Sequence, residues 1–142
     1  EAEKGEATAI QFEKIIEEKQ KEKAQAAKSK EQEAERERQV GMFKQVLEID
    51  PVDQVANFGL GTIYFEKGLY EEALSPLQTV VENFKDYSAA YLALGKTLEK
   101  LEQKDRATEV YKDGIAAASK KGDLMPLRDM QNRLNKLTNN AT

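Results

Sequence analysis

Cysteine and histidine are both absent from the 142-residue sequence. Without cysteine there is no disulfide framework, no thiolate nucleophile and no thiolate metal site, and redox usage gives no hint of compartment. Without histidine the commonest general base and metal ligand is missing as well. No run approaches the roughly 18 apolar residues that a membrane-spanning helix needs, and the opening residues, EAEKGEATA, lack the basic and apolar regions of a signal peptide. The chain as given is expected to be soluble, with no membrane partner and with the cytoplasm as its compartment; a start on Glu rather than Met fits removal of an upstream segment. A net charge of −4, spread over 22 basic and 26 acidic residues, leaves no basic footprint for a phosphate backbone, which argues against nucleic acid as a partner. The eight glycines are scattered and form no phosphate-cradling loop. Carboxylates are plentiful, but they lie in mixed-sign runs at helical spacing, the pattern of a solvated face rather than of acid catalysis. The expectation is therefore no enzyme, no metal and no cofactor.

What is present divides near residue 40. Residues 1–40 hold eleven acidic and nine basic residues, and from Glu17 to Gln39 no apolar side chain is larger than Ala. Such a stretch cannot bury a core. Its Glu, Lys, Gln, Ala and Arg are nevertheless strong helix formers, it has no Pro or Gly, and pairs such as Glu17 with Lys21 have the favourable spacing. We expect an exposed charged helical arm over 1–39, on the order of 35 Å long across the charged stretch at 1.5 Å per residue; a disordered charged tail is the competing reading.

From Val40 the period becomes helical. Val40, Phe43, Val46, Leu47 and Ile49 make one apolar face that closes at Asp50-Pro51, because the residue before proline is pushed out of the α region. Further helices are expected over about 52–67, with Gly68 past its end, over 70–84 with Pro76 near its first turn, over 88–101, over 105–119, and from Asp123 as N-cap to about Leu137. The last carries Leu127, Met130, Leu134 and Leu137 on one stripe. Residues 139–142 are expected to be a disordered tail.

LGTIYFEKGLYEEAL, starting at Leu60, returns loosely 34 residues later as LGKTLEKLEQKDRAT: Leu60-Gly61 recurs as Leu94-Gly95, Tyr64 as Leu98 and Ala73 as Ala107. Size is kept at fixed places and chemistry is not, which is a packing constraint. A glycine inside a helix costs up to about 1 kcal/mol relative to alanine, so two at one phase need a packing reason. The expectation is that Gly61 meets Ala73 and Gly95 meets Ala107 at close helix crossings, with Tyr64, Leu77, Leu94 and Tyr111 filling the space beside them. Helix pairs stacked at this period give an all-α, helix-turn-helix solenoid with a long charged N-terminal helix.

Leu60, Gly61, Tyr64, Gly68, Tyr70 and Ala73, then Tyr91, Leu94, Gly95, Leu98, Ala107 and Tyr111, resemble the tetratricopeptide repeat. Departures fall at Asn57, Lys85, Glu102, Lys104 and Ser119. The same phase places Phe43, Val46 and Pro51 on the second helix of an earlier unit whose first helix would fall in the charged stretch near Ala26 and Ala27, leaving half a repeat. The resemblance implies a tetratricopeptide-like domain over 40–138, with residues 123–138 as its capping helix. It also implies a non-catalytic module that binds a protein or peptide partner in a concave groove lined by first helices. Carried over by phase, the groove residues are Val55, Phe58, Thr62, Phe65 and Glu66, then Leu92, Lys96, Glu99 and Lys100. Phe58 and Phe65 fall off the Leu60, Ile63, Tyr64 core stripe, although a neighbouring helix such as that of Phe43 would remove them from the groove by covering them. Some family members clamp a chaperone's C-terminal carboxylate with Lys and Asn, and here Phe58 and Thr62 hold two of those places, which points away from that activity.

One segment of the arm stands apart. Phe12, Ile15 and Ile16 have the i, i+3, i+4 spacing of a helix that inserts into an apolar groove. The two readings are a local staple that folds back on the chain's own solenoid or frays unused, and an oligomerisation element that docks on another chain to give a weak homodimer, with the groove around Phe58 and Phe65 of a second copy as the receiver.

Overall fold

The structure, a computed structural model, describes residues 2–139, with side chains from Thr8 onward. Its six helices are α1 (Ala2–Ile49), α2 (Gln54–Glu66), α3 (Tyr70–Asn83), α4 (Ser88–Lys100), α5 (Lys104–Lys121) and α6 (Leu124–Asn139). Of the expected tail, residues 140–142 lie outside the described residues, and Asn139 closes α6. The chain falls into two units, Glu1–Gln39 and Val40–Thr142.

In the first unit the charged stretch is helical. Its described side chains are exposed apart from the half-buried Arg36 and Gln39. Helix propensity and local pairs hold it: Arg38 donates to Glu35 at 2.5 Å, and Arg36 lies 4.0 Å from Glu33, both at i, i+3. Exposed pairs of this kind contribute a few tenths of a kcal/mol each, about 0.2–0.5, so the helix rests on composition more than on any contact.

In the second unit each boundary has a local cause. Asp50 Oδ1 accepts the Val52 N–H and Asp53 caps α2, its carboxylate accepting the Ala56 N–H at 2.9 Å, so α2 begins at Gln54 rather than Val52. Asn57, where the repeat pattern has a large aromatic, is buried yet satisfied: its side-chain amide donates to the carbonyls of Pro51 and Asp53 and ties down the turn. Three helices end on the same device. The N–H groups of Leu69, Gln103 and Asp123 each reach back five residues, to the carbonyls of Tyr64, Leu98 and Ala118, across a residue in the left-handed region. That residue is Gly68 (φ 77°), Glu102 (φ 59°) and Gly122 (φ 80°). Glu102 thus adopts the conformation for which the pattern uses glycine. Pro76 sits in the second turn of α3 rather than the first, and the carbonyl its missing N–H would have bonded belongs to exposed Glu72.

Consecutive helices from α2 to α6 pack on one another, and α2 meets α4 as α4 meets α6. The fold is therefore an all-α solenoid in which first helices line one side. Leu77, Val80, Leu94, Leu98, Tyr111 and Met130 are fully buried, and burial of each large apolar side chain contributes roughly 1.5–3 kcal/mol. The crossing glycines face large side chains and not the alanines. A Cβ on Gly61 would stand 2.5 Å from Leu77, and one on Gly95 would strike the Tyr111 ring. Ala73 and Ala107 are fully buried beside these contacts. The physical reason is volume: a missing side chain on one helix is best filled by a whole side chain from the other. Two further glycines do the same, Gly59 receiving Phe43 and Gly114 receiving Met130 and Tyr91.

Candidate functional site

Phe58, Thr62, Phe65 and Glu66 recur on α2 at the spacing of one helix stripe, and the contact between α2 and α4 brings them opposite Ala89, Leu92, Ala93 and Lys96. Together these eight residues line a cleft of about 340 Å³, at the lower end of the roughly 300–1,000 Å³ of sites for compact organic ligands and sized for a few side chains. Its walls are braced by aromatics. Phe58 meets Tyr87 edge-on with centroids 5.1 Å apart, Phe65 meets Tyr70 at 5.3 Å, and Lys96 Nζ stands 5.4 Å from the Phe65 centroid, within reach of a cation–π attraction. Phe43 is seated on Gly59, while Phe58 and Phe65 remain half-buried at the cleft. Thr62 Oγ1 is the one buried side-chain polar atom among the described residues that has no hydrogen-bond partner.

A second, more polar cleft adjoins the first through Phe65 and Lys96, and adds Glu99, Lys100, Glu102 and Arg133. Glu99 is the hub of this cleft. Its Oε2 accepts the Tyr111 hydroxyl at 2.5 Å and Arg133 Nη1 at 3.1 Å, and Arg133 Nε donates to Asp129 at 2.9 Å. Burial, and after it the bond to Glu99, pushes the Tyr111 phenol well above its ordinary value, so it stays a donor. Glu99 therefore ties α4 to α5 and α6, and presents a carboxylate already engaged with a cation and a hydroxyl.

Of the nine groove residues read from the sequence, Phe58, Thr62, Phe65, Glu66, Leu92 and Lys96 share the first cleft, and Glu99 and Lys100 lie in the second. Val55 does not join them. It is 70% exposed and lines a separate apolar cleft with Met42, Phe43, Val46 and Ile49. Ala89, Ala93 and Arg133 were not anticipated. Ala89 and Ala93 stand 34 residues after Val55 and Gly59, and Arg133 stands 34 after Glu99, so one further step of the same period reaches all three. In the arm, Ile10, Phe12, Ile15 and Ile16 are all exposed, Phe12 at 64%. Among the described residues no cluster of acidic groups could hold a metal ion, and no helix is long and apolar enough to cross a membrane.

Comparison with known proteins places these features among others of their kind. The sequence model of the tetratricopeptide repeat matches residues 88–121. A TPR repeat-containing protein of Pseudomonas aeruginosa is 35% identical over 80 residues, which cover 56% of this chain and 76% of that protein. The crystal structure of a tetratricopeptide repeat domain protein from Salinibacter ruber superposes with a TM-score of 0.58 at 28% identity, covering 61% of this chain and 97% of that one. The TPR2B domain of yeast Sti1, solved in complex with pHsp70, superposes with a TM-score of 0.64 over 71% of this chain and 81% of that one; at 12% identity this is a likeness of fold alone.

Proposed function

This chain belongs to the tetratricopeptide repeat family, whose domains are in general protein-interaction modules, and from that premise we propose that it is a non-catalytic scaffold holding a partner peptide or helix in the cleft between α2 and α4. The observation that carries the reading is the cleft itself: Phe58, Phe65 and Leu92 stand half-buried around it instead of joining the closed core. An apolar side chain of a partner would complete their burial. Lys96 and Lys100 favour acidic side chains at the edge, and Glu66 and Glu102 set the limit on how acidic the ligand is. The yeast domain of the same fold was solved in complex with pHsp70; in this chain Phe58 and Thr62 stand where the family resemblance puts Lys and Asn of a carboxylate clamp, so the ligand proposed here is of a different kind. Affinity capture with the intact chain tests this reading against a Phe58→Ala/Phe65→Ala variant of unchanged helicity. Partners held by the first and released by the second are expected; identical captured sets would overturn the assignment of the cleft.

A second reading has its own observation, the exposed stripe Phe12, Ile15 and Ile16. In it the arm is a self-association element, and sedimentation that loses its concentration dependence in Phe12→Asp/Ile16→Asp is the expected result.

A further inference from the structure

The second cleft, of about 550 Å³, carries polar chemistry that an apolar ligand side chain leaves unused. Its lining residues Phe65, Lys96, Glu99, Lys100, Glu102 and Arg133 set three cations against two carboxylates and leave one net positive charge. Hydrogen bonding is more one-sided than charge. Glu99 is already engaged by Tyr111 and Arg133, and Glu102 is exposed in its turn. Among the described residues neither Lys96 nor Lys100 has a carboxylate within ion-pair distance, and Lys96 Nζ stands over the Phe65 ring where the two clefts join. Arg133 uses Nε on Asp129 and Nη1 on Glu99, so both N–H groups of Nη2 remain. Unengaged donors therefore outnumber unengaged acceptors.

We propose that this cleft sets the specificity of the groove by taking a carboxylate side chain of the partner on Lys96, Lys100 and Arg133, two residues along an extended segment from the apolar side chain held between Phe58, Phe65 and Leu92. The inference rests on the α2–α4 cleft being the partner site and names the partner's chemistry there. Arg133 is the positioned donor. Its bonds to Glu99 and Asp129 fix the guanidinium before a ligand arrives, and the Tyr111 hydroxyl fixes Glu99 in turn, so little side-chain freedom is lost on binding. Arg133 and Glu99 are also half-buried, which strengthens a charged contact relative to one made in open solvent. A single negative charge fits better than two, because Glu99, Glu102 and Asp129 stand beside the same cations and repel a dianion such as a phosphate group. The surplus of donors selects the conformation. With one carboxylate seated, N–H groups of Lys and Arg remain for main-chain carbonyls, which an extended segment exposes and a helix has already bonded internally. Spacing agrees: Lys96 and Lys100 lie one turn apart, about 6 Å along α4, close to the ~6.6 Å between alternate side chains of an extended chain.

Selection of a random octapeptide library by the intact chain, followed by fluorescence anisotropy on a selected peptide, is the test. Peptides with an apolar residue and an Asp or Glu two positions from it are expected. Replacing that carboxylate by its amide should weaken binding roughly tenfold or more, the range of a charge-assisted hydrogen bond, and phosphoserine in its place should bind no better than the amide. Lys100→Gln changes an exposed residue, and with Arg133→Gln, whose helicity is checked, it should cut the advantage of the acid peptide while leaving the amide peptide's affinity unchanged. If Arg133→Gln loses its fold, Lys100→Gln decides. A peptide that binds equally as acid and amide, yet is lost in Phe58→Ala/Phe65→Ala, overturns this inference and leaves the cleft reading standing. So do a carboxylate selected at helical spacing and tighter binding of the phosphoserine form. Selected peptides indifferent to Phe58→Ala/Phe65→Ala, or no enrichment at all, overturn both.

Discussion

The complete pairs α2/α3 and α4/α5 and the unpaired end of α1 run the same sequence phase to different ends. Leu77 and Tyr111 are fully buried in the glycine gaps of the helices that precede them, and Phe43, their counterpart in phase, is half-buried and turns instead to Gly59 of the helix that follows. Val80 is sealed and Val46 is not. Phe43 and Val46 are apolar like their counterparts Leu77, Tyr111 and Val80, so the difference lies in the neighbour. An apolar residue on a second helix becomes core only when a first helix arrives with a gap to receive it.

Making another end unpaired should produce the largest effect. Removing Leu124–Thr142 strips Met130 from its place against Gly114 and Tyr91, together with half-buried Leu127, Leu134 and Leu137. We expect a loss on the order of 5 kcal/mol, with aggregation of the exposed end. Urea unfolding and light scattering read both; a truncated chain that stays monomeric with an unshifted midpoint would show that α6 does not cap the solenoid.

Next come the glycines, which sharpen the same contrast. Gly61→Leu drives a side chain into Leu77 and is expected to cost about 3 kcal/mol, as overpacking does at its upper range. Gly41, in α1, has no atom within 4 Å of where a Cβ would stand, so Gly41→Leu should instead gain up to about 1 kcal/mol from helix propensity. Equal thermal shifts for the two would erase the distinction between crossing and open positions.

The smallest effect compares the turns of the two complete pairs. Glu102 holds φ 59° where Gly68 holds 77°. Glu102→Gly should stabilise by about 1 kcal/mol and Gly68→Ala destabilise by a similar amount, since a Cβ is strained in the left-handed region. Chemical denaturation that moves both in one direction would mean that the turns are not equivalent.

Much of this was legible beforehand because it is periodic. The helix starts at Tyr70 and Ser88, the capping glycine Gly68, and the placing of Phe58, Thr62, Phe65, Leu92 and Lys96 along one cleft all follow from a local pattern repeated every 34 residues, whereas α5 runs past the expected residue 119 to Lys121, where Gly122 ends it. The pattern falls short where a position answers to a neighbour on another element. Matching small residues to small sets Gly61 against Ala73, whereas Leu77 fills the gap. Phase alone puts Glu99 on the groove, and only the fold brings Tyr111 and Arg133, 12 and 34 residues away, onto its carboxylate. Val55 has the right phase for the groove but stands at the end of the stack, where its neighbours are Met42, Val46 and Ile49 and no preceding first helix closes the row. The sequence by itself determined the helices, their ends, the repeat and the solenoid, because these depend on residue type at fixed spacing along one chain. Tertiary structure alone decided which side chain fills which glycine gap, which carboxylate is engaged and which apolar residues stay in water, because burial depends on what a distant segment brings to the same place.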